Sequence, residues 1–271
     1  MYGRNRLLDY FVNRIVLRSP KLRKAFQRAI YPSGIRNIDL LGQQFEIDVQ
    51  SEIGYYRASI ANKSNIFFRD EVPQLLTFVA AISHGMTIVD AGANIGTWTV
   101  TLASLGSILP GLRIMAFEPN PETFKRLQVN CARFPNVETI NVALSDSEKI
   151  LDFYETTVSG VFGTKASPFN PADPKRVAKV AAKPLDYFLS GHSSIAIKID
   201  VEGHELEVLR GVQRSLENGT VKIVFSDGVD EENYSEFEAI LKKNKFSCFN
   251  ARSRKPFDGD ELSHPVIAVR S

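Results

Sequence analysis

One stretch of the sequence decides the fold of this chain: Thr87-Ile88-Val89-Asp90-Ala91-Gly92-Ala93-Asn94-Ile95-Gly96. Its apolar residues predict a short buried strand, and its glycines predict a turn that leads into a helix. Open α/β sheets build a nucleotide-sized pocket at the carboxyl end of such a strand. An aspartate ends the predicted strand, and the turn has the pattern D-x-G-x-x-x-G.

The spacing of the glycines indicates which kind of nucleotide the turn accepts. A dinucleotide-binding turn has the pattern G-x-G-x-x-G, whose middle glycine lets the backbone approach a pyrophosphate. Here Asn94 stands at that middle position. The turn therefore suits a ligand with an amino group and no phosphate, such as S-adenosylmethionine (SAM). Gly92 would admit its methionine part, and Asp90 would hold its ammonium group directly or through water. The alternative is a glycine turn that serves packing alone.

The composition is that of an ordinary soluble globular protein. The chain has 271 residues, of which 44% are hydrophobic and 24% are charged, and this length suits one α/β domain with additions. The net charge of +2 does not indicate a nucleic-acid partner. The charge is uneven, because residues 1–36 hold nine basic residues and one acidic residue. The rest of the chain is therefore acidic.

The cysteines and the apolar runs bear on the compartment. Cys131 and Cys248 lie far apart and suggest neither a disulfide framework nor a thiolate metal site, as is typical of a reducing compartment. No apolar run approaches the roughly 20 residues that span a bilayer, and the basic amino end does not have the pattern of a secretory signal. We therefore expect a cytoplasmic protein, with peripheral membrane contact as an additional expectation from its basic amino end.

Residues 1–60 are predicted to form an extension to the main domain. Apolar residues recur at helical spacing among the arginines of residues 1–31, and Ser19-Pro20 is expected to divide this run into two helices. Their basic face is either the solvated face of lid or dimer-forming helices or a surface that attracts an acidic membrane or partner. Residues 38–61 alternate and predict a β-hairpin with Gly42 in its turn.

Residues 61–271 are predicted to form the main domain. A helix is expected over 71–83, after which strands and helices alternate as in a parallel sheet, and the last strand, 266–269, is expected to be antiparallel. An insertion over about 145–190 is expected to be functional or disordered, with one strand over 150–154. The other predicted strands cover residues 87–90, 113–117, 137–142, 195–200, 221–226 and 246–250, and the other predicted helices cover residues 95–105, 121–133, 205–216 and 235–244.

A second acid, Glu118, directly follows the predicted strand over 113–117 and begins the segment Glu118-Pro119-Asn120-Pro121. Glu118 follows Gly92 by 26 residues, close to the offset at which an acid takes ribose hydroxyls. A carboxylate can accept a hydrogen bond from both hydroxyls at once. The alternative is an acid that is merely favoured at the start of a helix. An adenine is expected to lie between Pro119-Asn120 and the end of the third strand at Ala143-Leu144.

The fourth strand and the turn after it carry a group of polar residues. A central parallel strand is normally apolar on both faces, so Lys198 in its middle is costly unless it is paired. Asp200, Glu202 and His204 follow at the carboxyl end, where sheet enzymes place their ligands. All four are candidate catalytic residues, with His204 preferred as the general base and Glu202 or Asp200 as alternatives. The competing interpretation is a structural ion pair, helix-start acids and a packed histidine.

Four motifs, at residues 89–96, 116–121, 141–144 and 197–205, resemble the FkbM-type methyltransferase family, and the similarity extends over about residues 88–225. The resemblance implies a Rossmann-like, seven-stranded, SAM-dependent methyltransferase sheet and O-methylation of a hydroxyl on a sugar, glycolipid or polyketide. It does not reach the first 60 residues or the insertion, which we expect to select the acceptor. The resemblance implies that the residues that bind SAM, or lie at the edge of its site, are Asp90, Gly92, Asn94, Gly96, Glu118 and Asp200. We expect Ala93, Pro119, Asn120, Ala143 and Leu144 to flank the same pocket.

One departure from the family pattern suggests a metal ion. The fifth strand ends in Asp227, where the family often has glutamate, and Asp230 follows. Asp200, Asp227 and Asp230 would then share one Mg²⁺, because oxygen ligands suit that ion, and the ion would acidify a substrate hydroxyl. The alternative is that Asp227 stabilises a turn before Gly228.

Two other functions compete with O-methylation. One is a different adenosyl-nucleotide enzyme, such as an N-methyltransferase or a nicotinamide-dependent oxidoreductase, and Asn94 argues against the latter. The other is a non-enzymatic module that its basic amino end tethers to a membrane or polyanion. The three acids Asp90, Glu118 and Asp200 together argue against that module. The expected partner is a small-molecule or glycan acceptor without nucleic acid, and a homo-oligomer is compatible with the sequence.

Overall fold

The amino-terminal part of the described chain is a hairpin followed by a helix. The computed structural model describes residues 29–60, 70–155, 162–163, 177–256 and 265–270, so most of the predicted helices over 1–31 lie outside the described residues. Strands β1 (Ile35–Leu40) and β2 (Gln43–Asp48) pair antiparallel across the predicted turn at Gly42.

The predicted alternation over residues 38–61 does not continue beyond β2, where helix α1 (Ile53–Ile60) forms instead. Asp48 causes the change of direction, because its Oδ1 accepts hydrogen bonds from the amides of Gln50 (2.9 Å) and Ser51 (3.2 Å). Such a side-chain to backbone turn competes with extension of a strand.

The main domain alternates strands and helices as predicted. Most predicted bounds agree with the structure to within one or two residues, and the helix predicted over 235–244 begins four residues earlier. The elements are α2 (Val72–Ala81), β3 (Thr87–Ala91), α3 (Thr97–Ser104), β4 (Arg113–Phe117), α4 (Pro121–Cys131), β5 (Val137–Ile140), β6 (Ala143–Leu144), β7 (Lys149–Glu155), β8 (Phe162–Gly163), β9 (Val177–Lys183), β10 (Ile195–Ile199), α5 (Glu205–Arg210), α6 (Gln213–Glu217), β11 (Val221–Ser226), α7 (Glu231–Lys243), β12 (Phe246–Asn250) and β13 (Val266–Arg270).

Seven strands form one sheet in the order β12-β13-β11-β10-β3-β4-β5. Strands β11, β10, β3, β4 and β5 pair parallel, whereas β13 runs antiparallel to both of its neighbours. The predicted fold class is therefore confirmed, including the antiparallel last strand. The first strand of the motif, β3, lies inside the sheet between β10 and β4, so the turn after it opens at the carboxyl ends of three adjacent strands.

Each face of the sheet is covered by helices. One face packs Val89, Ile197 and Val224 against α5 and α7, and the other packs Ile88, Ile114 and their neighbours against α2 and α3. Burial on both faces explains why the parallel strands read as continuous apolar runs. Among the described residues, no helix is long and apolar enough to cross a membrane.

The amino-terminal hairpin packs against the main domain. Its inward residues share a hydrophobic cluster with Ile95 and Leu127. Asn130 of α4 fixes the contact, because its Nδ2 donates to the carbonyls of Ile95 (2.8 Å) and Glu46 (3.1 Å), and its Oδ1 accepts from the Glu46 amide (2.7 Å). The hairpin is thus hydrogen-bonded to the same side chain that holds the glycine turn.

The insertion contributes a second sheet, in the order β6-β9-β7-β8, around the strand predicted over 150–154. The predicted strand over 137–142 is wrong at its end, since β5 stops at Ile140 and Ala143 and Leu144 pair with β9. The single helix predicted over 205–216 is also wrong. It divides into α5 and α6, because Asp186 accepts hydrogen bonds from the amides of Arg214 (2.9 Å) and Ser215 (3.1 Å) and so starts a new helix.

Candidate active site

A cavity of about 240 Å³ opens at the carboxyl ends of β3, β4, β10 and β11. It is surrounded by the turns after these strands, the first turns of α3 and α4, the start of α2, and parts of the extension and the insertion. The lining includes Tyr55, Glu71, Gln74, Gly92, Ala93, Asn94, Thr97, Trp98, Glu118, Pro119, Thr123, Ala143, Leu144, Phe153, Lys198, Asp200, Glu202, His204 and Asp227. Such crevices are where open α/β sheets bind their ligands.

Gly92 lines the cavity where the turn after β3 lies against the backbone of Asp200. Its φ of +77° is a conformation that other residues rarely adopt, and a Cβ there would lie 1.9 Å from the carbonyl oxygen of Asp200. The amide of Asp200 donates to the carbonyl of Ala91 at 3.1 Å. The turns after β3 and β10 are therefore in direct backbone contact, and only glycine fits between them.

Glu118 lies buried at the end of β4 and holds two backbone segments together. Its Oε2 accepts from the amide of Asn94 at 2.9 Å, and its Oε1 accepts from the amide of Asn120 at 2.8 Å. Burial raises the pKa of Glu118 to about 7, although both of these hydrogen bonds lower it. Each carboxylate oxygen has a second lone pair, so Glu118 can still accept hydrogen bonds from ligand hydroxyls.

Two buried polar atoms near Glu118 have no hydrogen-bond partner among the described residues. They are Oδ1 of Asn94 and Oγ1 of Thr123, and both residues line the cavity. Thr123 is 2% exposed. A buried polar atom without a partner is costly, so these two atoms indicate a polar ligand that completes their hydrogen bonds.

Asp90 does not line the cavity, contrary to the expectation that it contacts the ligand's ammonium group. It is fully buried beneath α3, where its Oδ2 accepts from Thr99 Oγ1 at 2.6 Å and its Oδ1 lies 3.0 Å from Lys198 Nζ. Because side chains alternate along a strand, Asp90 lies on the same face as Ile88, which α2 and α3 cover. Its partner, Lys198, stands opposite it in the β3–β10 register.

Lys198 links the sheet to the cavity wall. Its Nζ donates to the carbonyl of Gly92 at 2.9 Å and lies 3.5 Å from Oδ2 of Asp200. Burial alone lowers the pKa of Lys198, but the carboxylates of Asp90 and Asp200 outweigh it and raise the pKa above its ordinary value. The lysine is therefore charged and paired, and it positions Gly92 and Asp200.

The β10–β11 end of the cavity is rich in carboxyl groups. Burial, followed by the charges of Asp200 and Asp227, raises the pKa of Glu71 to about 8. Desolvation, followed by the charge of Asp200, raises the pKa of Glu202 to about 7 and also raises that of Asp227. An added positive charge would relieve the repulsion among these groups.

Backbone strain marks the turn after β10. Glu202 and Gly203 have φ values of +55° and +94°. Glu205 holds this turn, because its Oε1 accepts from the amides of Gly203 (3.0 Å) and Val201 (3.4 Å). Non-glycine residues in this region cluster at functional sites, and here the strain directs the Glu202 side chain to the cavity mouth.

His204 lines the cavity, but both of its ring nitrogens have neighbours. Nε2 lies 2.9 Å from Ser145 Oγ, and Nδ1 lies 3.4 Å from Glu207 Oε2. These contacts connect the turn after β10 to the start of the insertion and to α5. They fix the ring, which disfavours the predicted role of His204 as the base.

The predicted Mg²⁺ site finds no support in the geometry. Across the described ranges, no group of three or more His, Cys, Asp or Glu residues is placed to hold a metal ion. Asp230 does not line the cavity and stands at the start of α7. The ammonium of Lys198 lies 3.5 Å from Oδ2 of Asp200, so a positive charge already pairs with one of the three predicted ligands.

The other predicted residues divide between the lining and its support. Ala93, Pro119, Ala143 and Leu144 line the cavity, as expected. Gly96 and Asn120 do not: Gly96 packs against Leu127, and Asn120 Oδ1 caps α4 by accepting from the amides of Glu122 (2.9 Å) and Thr123 (3.1 Å).

Several lining residues were not predicted from the sequence, among them Tyr55, Glu71, Gln74 and Thr123. Thr123 could have been found, because it stands in the first turn of the helix that follows Glu118. Tyr55, Glu71 and Gln74 come from the extension and α2, whose contact with the cavity has no local sequence signal.

Comparisons with known proteins agree with this geometry. A family model described as methyltransferase FkbM domain matches residues 90–248, more than half of the chain. The chain is 31% identical over 162 residues to hexuronic acid methyltransferase AglP of Haloferax volcanii, a match that covers 58% of this chain and 62% of that protein. The chain thus spans less than two thirds of that relative's length.

Two further matches carry methyltransferase names. Methyltransferase 1 of Beauveria bassiana is 30% identical over 195 residues, covering 62% of this chain and 75% of that protein. The crystal structure of methyltransferase FkbM from Methylobacillus flagellatus superposes with a TM-score of 0.47 at 16% identity, covering 69% of this chain and 44% of that one.

Proposed function

The chain belongs to the FkbM methyltransferase family, and from that premise we propose that it transfers a methyl group from SAM to a hydroxyl group of a sugar or glycan. The methyltransferase class follows from the family. The donor, the acceptor and the atom that is methylated are the proposal. The observation that carries it is the buried Glu118 carboxylate in a cavity whose opposite end is acidic, flanked by two polar atoms that have no partner in the described part of the chain.

The residues present fit SAM with its nucleoside near β4 and its sulfonium toward the acidic end, where it would meet the acceptor. Near β4, Glu118, Asn94 and Thr123 offer hydrogen-bonding atoms that suit a ribose, with Pro119 and Leu144 as apolar neighbours for a base. Near β3, Gly92 lines the cavity. The acidic end favours a cationic ligand, and a sulfonium is a cation. Bound there, SAM would supply an electrophilic methyl group.

The protein's part in this reaction is mainly positioning. A methyl transfer from a sulfonium is a displacement that needs the donor and acceptor held in line and water excluded. Lys198 fixes the Gly92 turn against Asp200 through the contacts described above, and Glu118 fixes the turn after β3 against that after β4. A sugar hydroxyl is a poor nucleophile, so a cavity residue must also take its proton.

The acceptor class rests on weaker support than the donor. A relative at 31% identity is named a hexuronic acid methyltransferase, which favours a sugar over a polyketide or a nucleic acid. The extension and the insertion, which line the cavity through Tyr55 and Phe153, lie outside the four motifs. We infer that these two segments select the acceptor.

Calorimetric titration with S-adenosylhomocysteine (SAH) and with NAD tests the donor site. We expect SAH to bind, NAD not to bind, and Glu118→Ala to weaken SAH binding by about 10- to 100-fold, the range for lost hydrogen bonds to a charged group. Glu122→Ala is the matched control, because Glu122 is an exposed acid on the same segment. A folded wild-type protein that does not bind SAH would contradict the proposal and favour the non-enzymatic alternative.

The acceptor is tested by incubating the enzyme with SAM and separate methyl glycosides of a hexose and a hexuronic acid. Mass spectrometry then detects an added methyl group and locates it. Methylation of a hydroxyl oxygen in either compound supports the proposal. Methylation confined to an amino group in a parallel panel of aminated acceptors would favour an N-methyltransferase instead.

A further inference from the structure

Glu71 is a carboxylate that the methyltransferase motifs do not include. It stands immediately before α2 and is half-buried against the cavity that it lines. Its side chain does not cap the helix, and it makes no hydrogen bond or ion pair to the described residues. A partly buried carboxylate that faces a ligand cavity and has no such partner among the described residues is available for chemistry.

The sheet order places Glu71 at the acceptor end of the cavity. The groups that fit a nucleoside follow β3 and β4, whereas Asp200 and Asp227 follow β10 and β11 on the other side of β3. Glu71 is coupled most strongly to these two aspartates. It therefore lies beside the space that the nucleoside groups leave for the acceptor.

The residues that the sequence offered as bases are less suited to that task. The ring nitrogens of His204 face Ser145 and Glu207. Oδ2 of Asp200 lies 3.5 Å from the ammonium of Lys198 and is therefore already engaged in an ion pair. Glu202 is exposed at the cavity mouth, where water competes for it.

We propose that Glu71 is the catalytic residue that accepts the proton of the acceptor hydroxyl, an inference that rests on the proposed O-methyl transfer. The hydroxyl oxygen forms a bond to the methyl carbon, and the carbon–sulfur bond breaks with its electron pair retained by sulfur. The hydroxyl proton moves to the carboxylate of Glu71. Glu71 later returns this proton to water, so the residue is regenerated.

The charges around Glu71 suit this cycle. Burial and the neighbouring Asp200, Asp227 and Asp70 raise its pKa, Lys198 lowers it, and Tyr55 is the phenol that faces it. A bound cationic sulfonium lowers the pKa of a nearby carboxyl group. Glu71 is then ionised when a cationic donor is present. Its affinity for a proton rises again once the positive charge is lost in the transfer.

Proton release on ligand binding tests this placement without turnover. Calorimetry at pH 8 in two buffers of different ionisation enthalpy measures the protons released when SAM or SAH binds. Because Glu71 is about half protonated there, we expect SAM to release up to about half a proton more than SAH does. Glu71→Gln abolishes this difference, and Asp70→Asn, an adjacent acid outside the cavity lining, retains it. An unchanged difference in Glu71→Gln, or none in the wild type, would overturn the assignment.

Turnover with a methyl glycoside that the wild type methylates separates catalysis from structure. If Glu71 is the base, the kcat of the wild type rises with pH as this carboxyl group ionises. We expect Glu71→Gln to remove this rise, to lower kcat about 100-fold or more and to leave SAH affinity within about twofold. We expect Glu71→Asp and His204→Ala to have a lower kcat than the wild type, and in both variants kcat still rises with pH. The assignment fails if Glu71→Gln keeps the rise and a kcat within about threefold of the wild type. Failure of the wild type to bind SAM or SAH would instead overturn the proposed function.

Discussion

At the scale of single residues, Lys198 and Asp90 form an ion pair that is buried inside the main sheet. Lys198 is 3% exposed and Asp90 is fully buried, 3.0 Å apart across adjacent strands. Such a pair contributes little net stability compared with apolar residues, but removal of one partner leaves an uncompensated charge. Its value here is geometric, because the same ammonium contacts Gly92 and Asp200 in the cavity wall.

We predict that Lys198→Met lowers the free energy of unfolding by about 3–5 kcal/mol, because Asp90 is left buried without a counter-charge. The double variant Lys198→Met with Asp90→Asn recovers a large part of that loss, since neither charge remains. Urea unfolding measures both. Lys242→Met is the control, because Lys242 forms an exposed pair with Glu238 on α7 and such pairs contribute about 0–1 kcal/mol. Equal losses in Lys198→Met and in the control would show that the pair is unimportant.

Glu71 also predicts a dependence of stability on pH. Its pKa of about 8 lies above its ordinary value of 4.5, so the folded state binds this proton more tightly than the unfolded state. The stabilisation is complete below pH 4.5 and is lost as the pH rises through 8. We expect Glu71→Gln to be more stable than the wild type at pH 9, by on the order of 1 kcal/mol because the group is only half-buried, and not more stable at pH 4. Thermal unfolding at both pH values measures this, and a gain that is the same at both would refute it.

At the scale of elements, the glycine turn after β3 is the least replaceable backbone segment of the site. Gly92 combines a φ of +77° with a close approach to the Asp200 carbonyl. Gly85, which precedes β3, has a φ of +71°, and no atom lies within 4 Å of the position that a Cβ would take there. The two positions therefore separate backbone strain from steric collision.

We expect Gly85→Ala to lower stability by about 1–2 kcal/mol, the typical cost of a left-handed conformation for a non-glycine residue. Gly92→Ala should cost more than this, because the β3 and β10 turns must also separate, and it should abolish SAH binding. Chemical denaturation and calorimetry measure the two effects. Gly92→Ala protein with the stability of Gly85→Ala and unchanged SAH affinity would show that the backbone contact does not shape the cavity.

The elements that sequence patterns predict well are those whose structure is determined locally. Apolar runs gave β4, β11 and β12 at their observed bounds, and the D-x-G-x-x-x-G phrase located the turn of the cavity. The errors arise from tertiary contacts. Asp186 divides α5 from α6, and β5 ends at Ile140, before Ala143-Leu144 pair with β9. Neither contact leaves a trace in the local periodicity.

At the scale of the whole molecule, the same distinction applies to the site. The motifs identified Gly92, Glu118 and Asp200 because each directly follows a strand of the sheet. Glu71 and Tyr55 reach the cavity only because the extension and α2 pack over the sheet, and this packing was not predictable from one sequence. The part of the cavity that we propose for the methyl donor is therefore largely predictable from motifs, whereas the part that we propose for the acceptor depends on the assembled fold.

The uneven charge of the chain predicts how the whole protein meets a surface. Residues 1–36 hold nine basic residues and one acidic residue, whereas the rest of the chain is acidic. Each basic residue near an anionic bilayer contributes about 1 kcal/mol of attraction, and salt screens it within a Debye length of about 10 Å at 0.1 M. An enzyme that acts on a lipid-linked glycan would gain from this attraction, because it concentrates the enzyme near its acceptor.

We therefore predict that the 271-residue chain floats with vesicles that contain anionic lipid, and that flotation falls as salt rises from about 0.05 to 0.3 M. Reversal of Arg14 and Arg18 to glutamate should weaken flotation strongly, because it lowers the net charge of residues 1–36 from +8 to +4. Reversal of Lys242 and Lys243, which are exposed on α7, is the matched control and should leave flotation unchanged. Flotation that neither salt nor the amino-terminal reversal affects would mean that the basic segment serves another purpose, such as contact between subunits.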